Sequence, residues 1–228
     1  MPIRKAYVDT KDGQIHYRYC TGTGAPILFF HMTASSSAAF ESVMTHLDGF
    51  RPLYAFDLPH YGQSFVPTAE PSYEYAADIM RQAIDALGIK TFHCFGHHGG
   101  TNLSAQLAVD NPDRVLSIML AGTTFPTVEE SRQNAKYIYD NPADLRGSQA
   151  ISAWTRVVKD CDTSAPVEPG SPYFPVPARI YHQELIDTLT AGADWHWGYR
   201  AVFKHNMPEY YIILHIFLIL KISSDICD

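Results

Sequence analysis

The chain has 228 residues, 46% of them hydrophobic and 18% charged, with a formal net charge of -7. That length suits one domain, or one domain with an inserted lobe, and allows a substantial buried core. The acidic balance, with no run of Lys or Arg, argues against nucleic acid or an anionic membrane as partner, since either draws a basic patch.

Residues 5–10 and 13–21 read as two strands joined at Lys11-Asp12-Gly13, where glycine is available for positive φ. Residues 26–32 form a short continuous apolar run, the pattern of a strand buried on both faces of a parallel sheet. A helix is expected from Ser35 to Leu47, with serines as N-cap candidates, then a strand at 51–57 and a Pro/Gly/Ser-rich loop from Pro59 to Pro71. Tyr73 to Leu87 reads as an amphipathic helix that places Ile79, Ala83, Ile84 and Leu87 on one face and stops at Gly88. A strand at 90–95, a helix from Gly99 to Asn111 and a strand at 115–121 complete the pattern. Alternating β and α units imply a mostly parallel, doubly wound sheet with helices on both faces.

After Gly122 the pattern changes. Residues 1–122 read as an α/β core and 123–205 as a helical lid, interrupted by a Pro/Gly-rich stretch from Ala165 to Pro177. Trp154 and Trp195 lie in the lid, either as its core or as an apolar wall that binds substrate. Residues 206–228 form an atypical apolar tail. Its Tyr210–Ile222 run is shorter than the roughly 20 residues a spanning helix needs, so no stable membrane insertion is expected. A strand, a membrane-surface anchor and a foreign tail from a shifted reading frame stay open; the lack of punctuating turns favours the last two.

Cys20, Cys94, Cys161 and Cys227 are scattered, and the N-terminal residues lack the apolar core of a signal peptide. Free cysteines in a reducing, cytoplasmic compartment are expected. The final Ile226-Cys227-Asp228 is not a Ser-Lys-Leu-type signal, so a peroxisomal location is the alternative only for longer relatives that carry one.

Three motifs carry a resemblance. His31-Met32-Thr33 follows the third strand. Asp57-Leu-Pro-His-Tyr-Gly-Gln-Ser64 follows the fourth. Gly96-His97-His98-Gly99-Gly100 links a strand to a helix, the context of the G-x-S-x-G nucleophile elbow. Together these resemble the α/β-hydrolase superfamily: its His-Gly oxyanion turn, its Asp-x-x-Gly-x-Gly-x-Ser turn and its elbow. The N-terminal half and the histidine elbow also resemble hydrolases of fungal host-selective toxin clusters of the AK-toxin type, which implies a place in secondary metabolism.

The resemblance implies acyl transfer. An elbow group attacks a carbonyl, and two backbone amides, here those of Met32 and Gly99, hold the oxyanion. A late histidine oriented by an acid serves as base. Two departures stand out. The elbow residue is His98 and has no hydroxyl. The strands that would bear the acid and base are not recognisable before residue 228, so the sheet is expected to stop short of the family's last strands; Asp194, His196 and His205 fall in or just after the lid.

His98 sits where positive φ is often required, and histidine tolerates that better than most residues. Neutral imidazole can act as nucleophile or general base. The alternative is a dead elbow that only binds ligand. His31, His60 and His98 all follow strand ends, yet no carboxylate or cysteine joins them at ligand spacing, so no metal is expected. Asp57 is expected to pin its own turn, and Ser35, Ser36 and Ser37 to cap a helix. The expected enzyme therefore acts on a small apolar ester, lactone or other carbonyl compound without a cofactor. His98 is its catalytic group, Met32 and Gly99 its oxyanion donors, and His31, Trp154 and Trp195 its substrate contacts. A ligand-binding pseudoenzyme and a non-functional product are the alternatives, and the oligomeric state is left open.

Overall fold

The computed structural model describes residues 2–123, 129, 140–158 and 178–205. Its strands are β1 Arg4–Asp9, β2 Gln14–Cys20, β3 Ile27–Phe30, β4 Leu53–Phe56, β5 Phe92–His97 and β6 Val115–Ala121. The described helices are α1 Glu41–His46, α2 Tyr73–Ala86, α3 Gly99–Asp110, α4 Ser148–Val158, α5 Ala178–Ala191 and α6 Trp197–Lys204. The strands form one sheet in the order β1-β2-β4-β3-β5-β6. β1 and β2 are antiparallel, β2 meets β4 antiparallel, and the remaining pairs are parallel.

Register places the site. Phe30 of β3 pairs with Phe56 of β4 and with Gly96 of β5, and His97 pairs with Ala121 of β6. The turns after these four strands therefore leave one edge of the sheet together, where ligands of doubly wound folds bind. β3 is buried along most of its length, as its unbroken apolar run predicts.

The larger core lies between the sheet, α2 and α3. Phe30, Phe56, Phe92, Leu103 and Leu107 are each at most 1% exposed. From α2, Ile79, Met80, Ala83 and Ile84 are fully buried, each large aliphatic chain contributing about 1.5–3 kcal/mol relative to exposure. Ser72 caps α2 by accepting from the Tyr75 amide, and Gly88 follows its end at φ 70°. On the other face Phe29, Phe40, Met44, Leu53 and Ala55 cluster beneath α1.

Two of the boundaries that differ from the sequence reading have a structural cause. The helix expected over 35–47 is a single 3-10 turn, Ser37–Phe40, followed by α1. Ser36 causes the delay: extended at φ -145°, it accepts from the Ala38 amide and starts the turn one residue after itself. β5 runs two residues beyond 95, because its hydrogen bonding with β6 continues to His97. The expected tail 206–228 and the stretch Ala165–Pro177 lie outside the described residues, as do Cys161 and Cys227. Cys20 and Cys94 are buried free thiols. Among the described residues no helix is long and apolar enough to cross a membrane.

Candidate active site

The elbow is tight for a steric reason. A Cβ at Gly96 would collide with the carbonyl of Gly100, and a Cβ at Gly100 would collide with the carbonyl of Phe30. Only glycine lets α3 sit so close to β3 and β5. Between them His98 adopts φ 46°, ψ -114°, a sparsely populated conformation for a residue with a Cβ. Its amide donates to the Ala121 carbonyl at 2.8 Å, and its own carbonyl accepts from Thr101 through both amide and hydroxyl. The backbone is thus pinned while the side chain stands exposed at the sheet edge. Its ring faces Gly122, where a Cβ would come within 3.0 Å of Cε1 and Nε2. The His97 ring lies 4.7 Å away. Burial, then the neighbouring His98, push the His97 pKa below the usual histidine value. No described carboxylate is hydrogen-bonded to either ring.

Across from the elbow lies the turn after β3. His31 is 1% exposed. Its Nδ1 donates to the Met32 carbonyl at 2.7 Å and its Nε2 accepts from the Leu58 amide at 3.0 Å. These bonds fix the neutral tautomer, and burial lowers its pKa. With both nitrogens engaged, His31 braces two turns, and it also lines the small cavity beside Thr33. A Cβ at Gly99 would lie 2.9 Å from Thr33 Oγ1 and 3.5 Å from Thr33 N. Thr33 thus lies beside Gly99, one position beyond the expected Met32. The Thr33 hydroxyl bonds to Tyr73, itself buried.

Asp57 is 1% exposed and does what its turn requires. Its carboxylate accepts from the Ser37 amide at 2.7 Å, the Gln63 amide at 2.8 Å and His16 Nδ1 at 2.7 Å. Burial alone would raise its pKa. The bonds from His16, Ser37 and the Gln63 amide outweigh that and hold it well below the usual carboxylate range. Gly62, at φ 57°, is indispensable, since a Cβ there would strike Asp57 Oδ2.

The helices after β6 close over this edge. Tyr61 donates to the Trp195 carbonyl at 3.2 Å and accepts from the Gly198 amide at 2.8 Å. A Cβ at Gly198 would lie 2.6 Å from Thr33 Oγ1. Only a cavity of about 30 Å³ remains there, walled by Thr33, Leu58, Tyr61, Tyr73, Gly198 and Ala201 among others. Trp195 is 5% exposed and packs in the cover, with the Arg156 guanidinium 4.8 Å over its ring. Trp154 is 41% exposed on α4 and turns toward solvent, so the two tryptophans form no common wall. His205 is buried against α3: Asn102 donates to its Nδ1 at 3.2 Å, and its Nε2 donates to Gln106 at 3.0 Å. A larger groove of about 440 Å³, bordered by Asp12, Phe65, Pro67, Glu70 and Tyr75, lies away from the elbow at the start of α2. Among the described residues no group of three or more His, Cys, Asp or Glu could hold a metal ion.

A strand-elbow-helix unit, an amide-bearing turn beside it and this strand order define a class of protein. Residues 25–152, more than half of the chain, match the model of the alpha/beta hydrolase fold family, and the chain belongs to that family. It is similar to the dihydrolipoyllysine-residue acetyltransferase component of the acetoin cleaving system of Cupriavidus necator, 32% identical over 117 residues, 50% of this chain and 30% of that protein. It is also similar to haloalkane dehalogenase 2 of Mycobacterium tuberculosis, 30% identical over 129 residues, 54% of this chain and 43% of that protein. The aligned part thus spans less than half the length of either relative. Among solved structures, the epoxide hydrolase VrEH1 from Vigna radiata superposes with a TM-score of 0.68 at 17% identity, covering 92% of this chain and 74% of that one. The N-acyl homoserine lactonase AidH superposes with a TM-score of 0.62 at 23% identity, covering 90% and 70%. Both likenesses are of fold alone.

Proposed function

We propose that the chain is a hydrolase of a small apolar ester, lactone or related carbonyl compound, with His98 as nucleophile or general base. The observation that carries this reading is the strained backbone of His98, pinned at the tip of the elbow with its ring exposed. As a base, the imidazole takes a proton from the water that attacks the carbonyl carbon, then returns it to the departing alkoxide. As a nucleophile, it attacks the carbonyl carbon and expels the alkoxide, which leaves as the alcohol after taking a proton; water then cleaves the acyl-imidazole to the acid and restores the free imidazole. In both routes the negative oxygen sits between the amides of Gly99 and Thr33, at the positive end of α3.

A second reading follows from two observations. The cavity at Thr33 is about 30 Å³, and no described carboxylate orients His98. A non-catalytic protein that binds an apolar ligand on the same scaffold has both features. Hydrolysis of a panel of short-chain aryl esters and lactones, including secondary-metabolite esters of the kind the toxin-cluster resemblance implies, separates the two. Turnover that disappears in His98→Ala supports the enzyme, and an early burst of aryl alcohol marks the acyl-imidazole route. Turnover unchanged in His98→Ala overturns the assignment of His98. Ligand-induced thermal stabilisation with no turnover on any member favours the binding protein.

A further inference from the structure

The turn that Asp57 organises carries a residue it does not need. Where the pattern Asp-x-x-Gly has glycine, this chain has His60, held at φ 84°. A residue with a Cβ is disfavoured there by on the order of 1 kcal/mol unless the surroundings hold it. The surroundings do. His60 is 4% exposed, stacks on Trp197 with ring centroids 4.6 Å apart, and meets Tyr61 edge-on. Its Nε2 donates to the Asp194 carbonyl at 3.0 Å, while its Nδ1 has no hydrogen-bond partner. Close by, His196 is fully buried, and neither of its ring nitrogens makes a hydrogen bond; Nε2 lies 3.4 Å from Asp140 Oδ1.

The same segment covers the candidate oxyanion turn. Tyr61 holds it at Trp195 and Gly198, and Gly198 rests on Thr33. A carbonyl compound reaching the Thr33 and Gly99 amides must displace it, given the small space beside them.

We propose that His60 and His196 form an acid-sensitive latch that holds residues 194–204 down over the Thr33–Gly99 turn and lets them lift when the two rings take up protons. The chemistry is direct. With Nε2 already donating, a proton on His60 must go to Nδ1, which has no acceptor and is out of water, so the charged form is disfavoured while the cover stays docked. A proton on His196 would place a second positive charge beside it. Asp194 attracts a charge on His60; Asp140, Asp194 and Glu70 attract one on His196, and Arg200 repels it. The attraction is weak where it counts: Asp140 is largely exposed, and Glu70 is bonded to Lys204 and Arg200. Burial, the largest influence on each ring, lowers both pKa values. The docked cover therefore binds fewer protons than the lifted one, and docking weakens as pH falls below the ordinary histidine value of 6.5. That the latch admits substrate rests on the hydrolase reading above; the latch itself does not.

The test is hydrogen exchange of the full chain followed by mass spectrometry, corrected for intrinsic rates and read on residues 197–204. Exchange there should be about tenfold faster near pH 5 than near pH 7.5, while α2 keeps its protection. In the double variant His60→Asn, His196→Gln, in which asparagine tolerates the positive φ, the contrast should fall below about twofold. A wild-type chain without the contrast, or a double variant that retains it, overturns the proposal. Should the double variant not fold, His60→Gly, which restores the turn residue of the pattern, decides: it must reduce the contrast at least about threefold. In Asp187→Asn, which removes the buried carboxylate of α5, the contrast must survive or grow, because protonation of Asp187 favours the docked cover at low pH and so opposes the contrast; its loss overturns the latch. None of these readouts involves turnover, so an inert protein with the contrast sinks only the hydrolase reading, and an active one without it sinks only the latch.

Discussion

Ser36 and Asp187, 151 positions apart, join the cover to the core by a buried hydrogen bond of 3.0 Å from Oγ to Oδ2. Ser36 starts the turn after β3, and Asp187 projects from α5, where Gln183 also donates to it at 2.9 Å. The bond thus ties the helical cover to the turn that bears Thr33.

Burial raises the Asp187 pKa from 3.8 to about 6, against the opposing bonds from Gln183 and Ser36. A folded value above the unfolded one means that the folded state holds the proton more tightly. This contribution is complete below about pH 4 and is lost as pH rises through about 6. Two units correspond to roughly 3 kcal/mol at most. Asp187→Asn, which stays neutral at all pH, should therefore be more stable than wild type at pH 7 by up to roughly that amount, and equal to it near pH 4. Urea unfolding at the two pH values checks this; a variant less stable at pH 7 would show that the carboxylate is needed ionised.

Much of this architecture is legible in the sequence, and the failures have physical causes. The continuous run of β3, the face of α2 and the glycines around His98 each follow from local rules of burial period or steric size. Trp154 and Trp195 do not, because a tryptophan in a helical segment reads alike whether it turns to solvent or into the cover; only packing decides. The nearness of Thr33 to Gly99 was not legible because it depends on where Gly99 lies across the sheet edge, which sequence separation does not encode. The latch was hidden for the same reason: His60 reads as a loop residue until Trp197 and Asp194 are placed against it.

Asp57 shifts the other way from Asp187. Its folded pKa is depressed, so its contribution is present above the unfolded value of 3.8 and is lost as pH falls through the folded one. Replacing it with Ala would leave the Ser37 and Gln63 amides and the His16 ring unpaired in a dry site, at a cost of about 3–5 kcal/mol. Asp57→Asn keeps the size but cannot accept from all three donors at full strength, and should lose about half as much. Denaturant midpoints of both variants give the comparison; a loss under about 1 kcal/mol for Ala would mean the turn is held by other contacts.

The close approach of α3 to β3 makes Gly100 the least replaceable residue of the elbow. Its would-be Cβ meets the Phe30 carbonyl and lies 2.9 Å from the His31 carbonyl, both backbone groups that no rotamer change can move. Gly100→Ala should lose about 3 kcal/mol or fail to fold. Gly49→Ala is the control: nothing lies within 4 Å of its would-be Cβ, and only its φ of 80° opposes the change, so about 1 kcal/mol is expected. Thermal melts that rank the two in the reverse order would mean the elbow relaxes more easily than its packing implies.

His98 combines strain with exposure, and the two separate in a pair of variants. Glycine adopts φ 46° without the steric opposition that a Cβ meets, so His98→Gly should gain about 1 kcal/mol of stability and lose all turnover. His98→Ala keeps the Cβ and the strain, and should match wild type in stability within about 0.5 kcal/mol while losing the same turnover. Such a gain in stability with loss of function is the expected trade at a working site. If His98→Gly proves less stable than wild type, the imidazole is contributing contacts against Gly122 and His97 that outweigh the strain, and the ring is then a structural part of the sheet edge rather than a group held ready for chemistry.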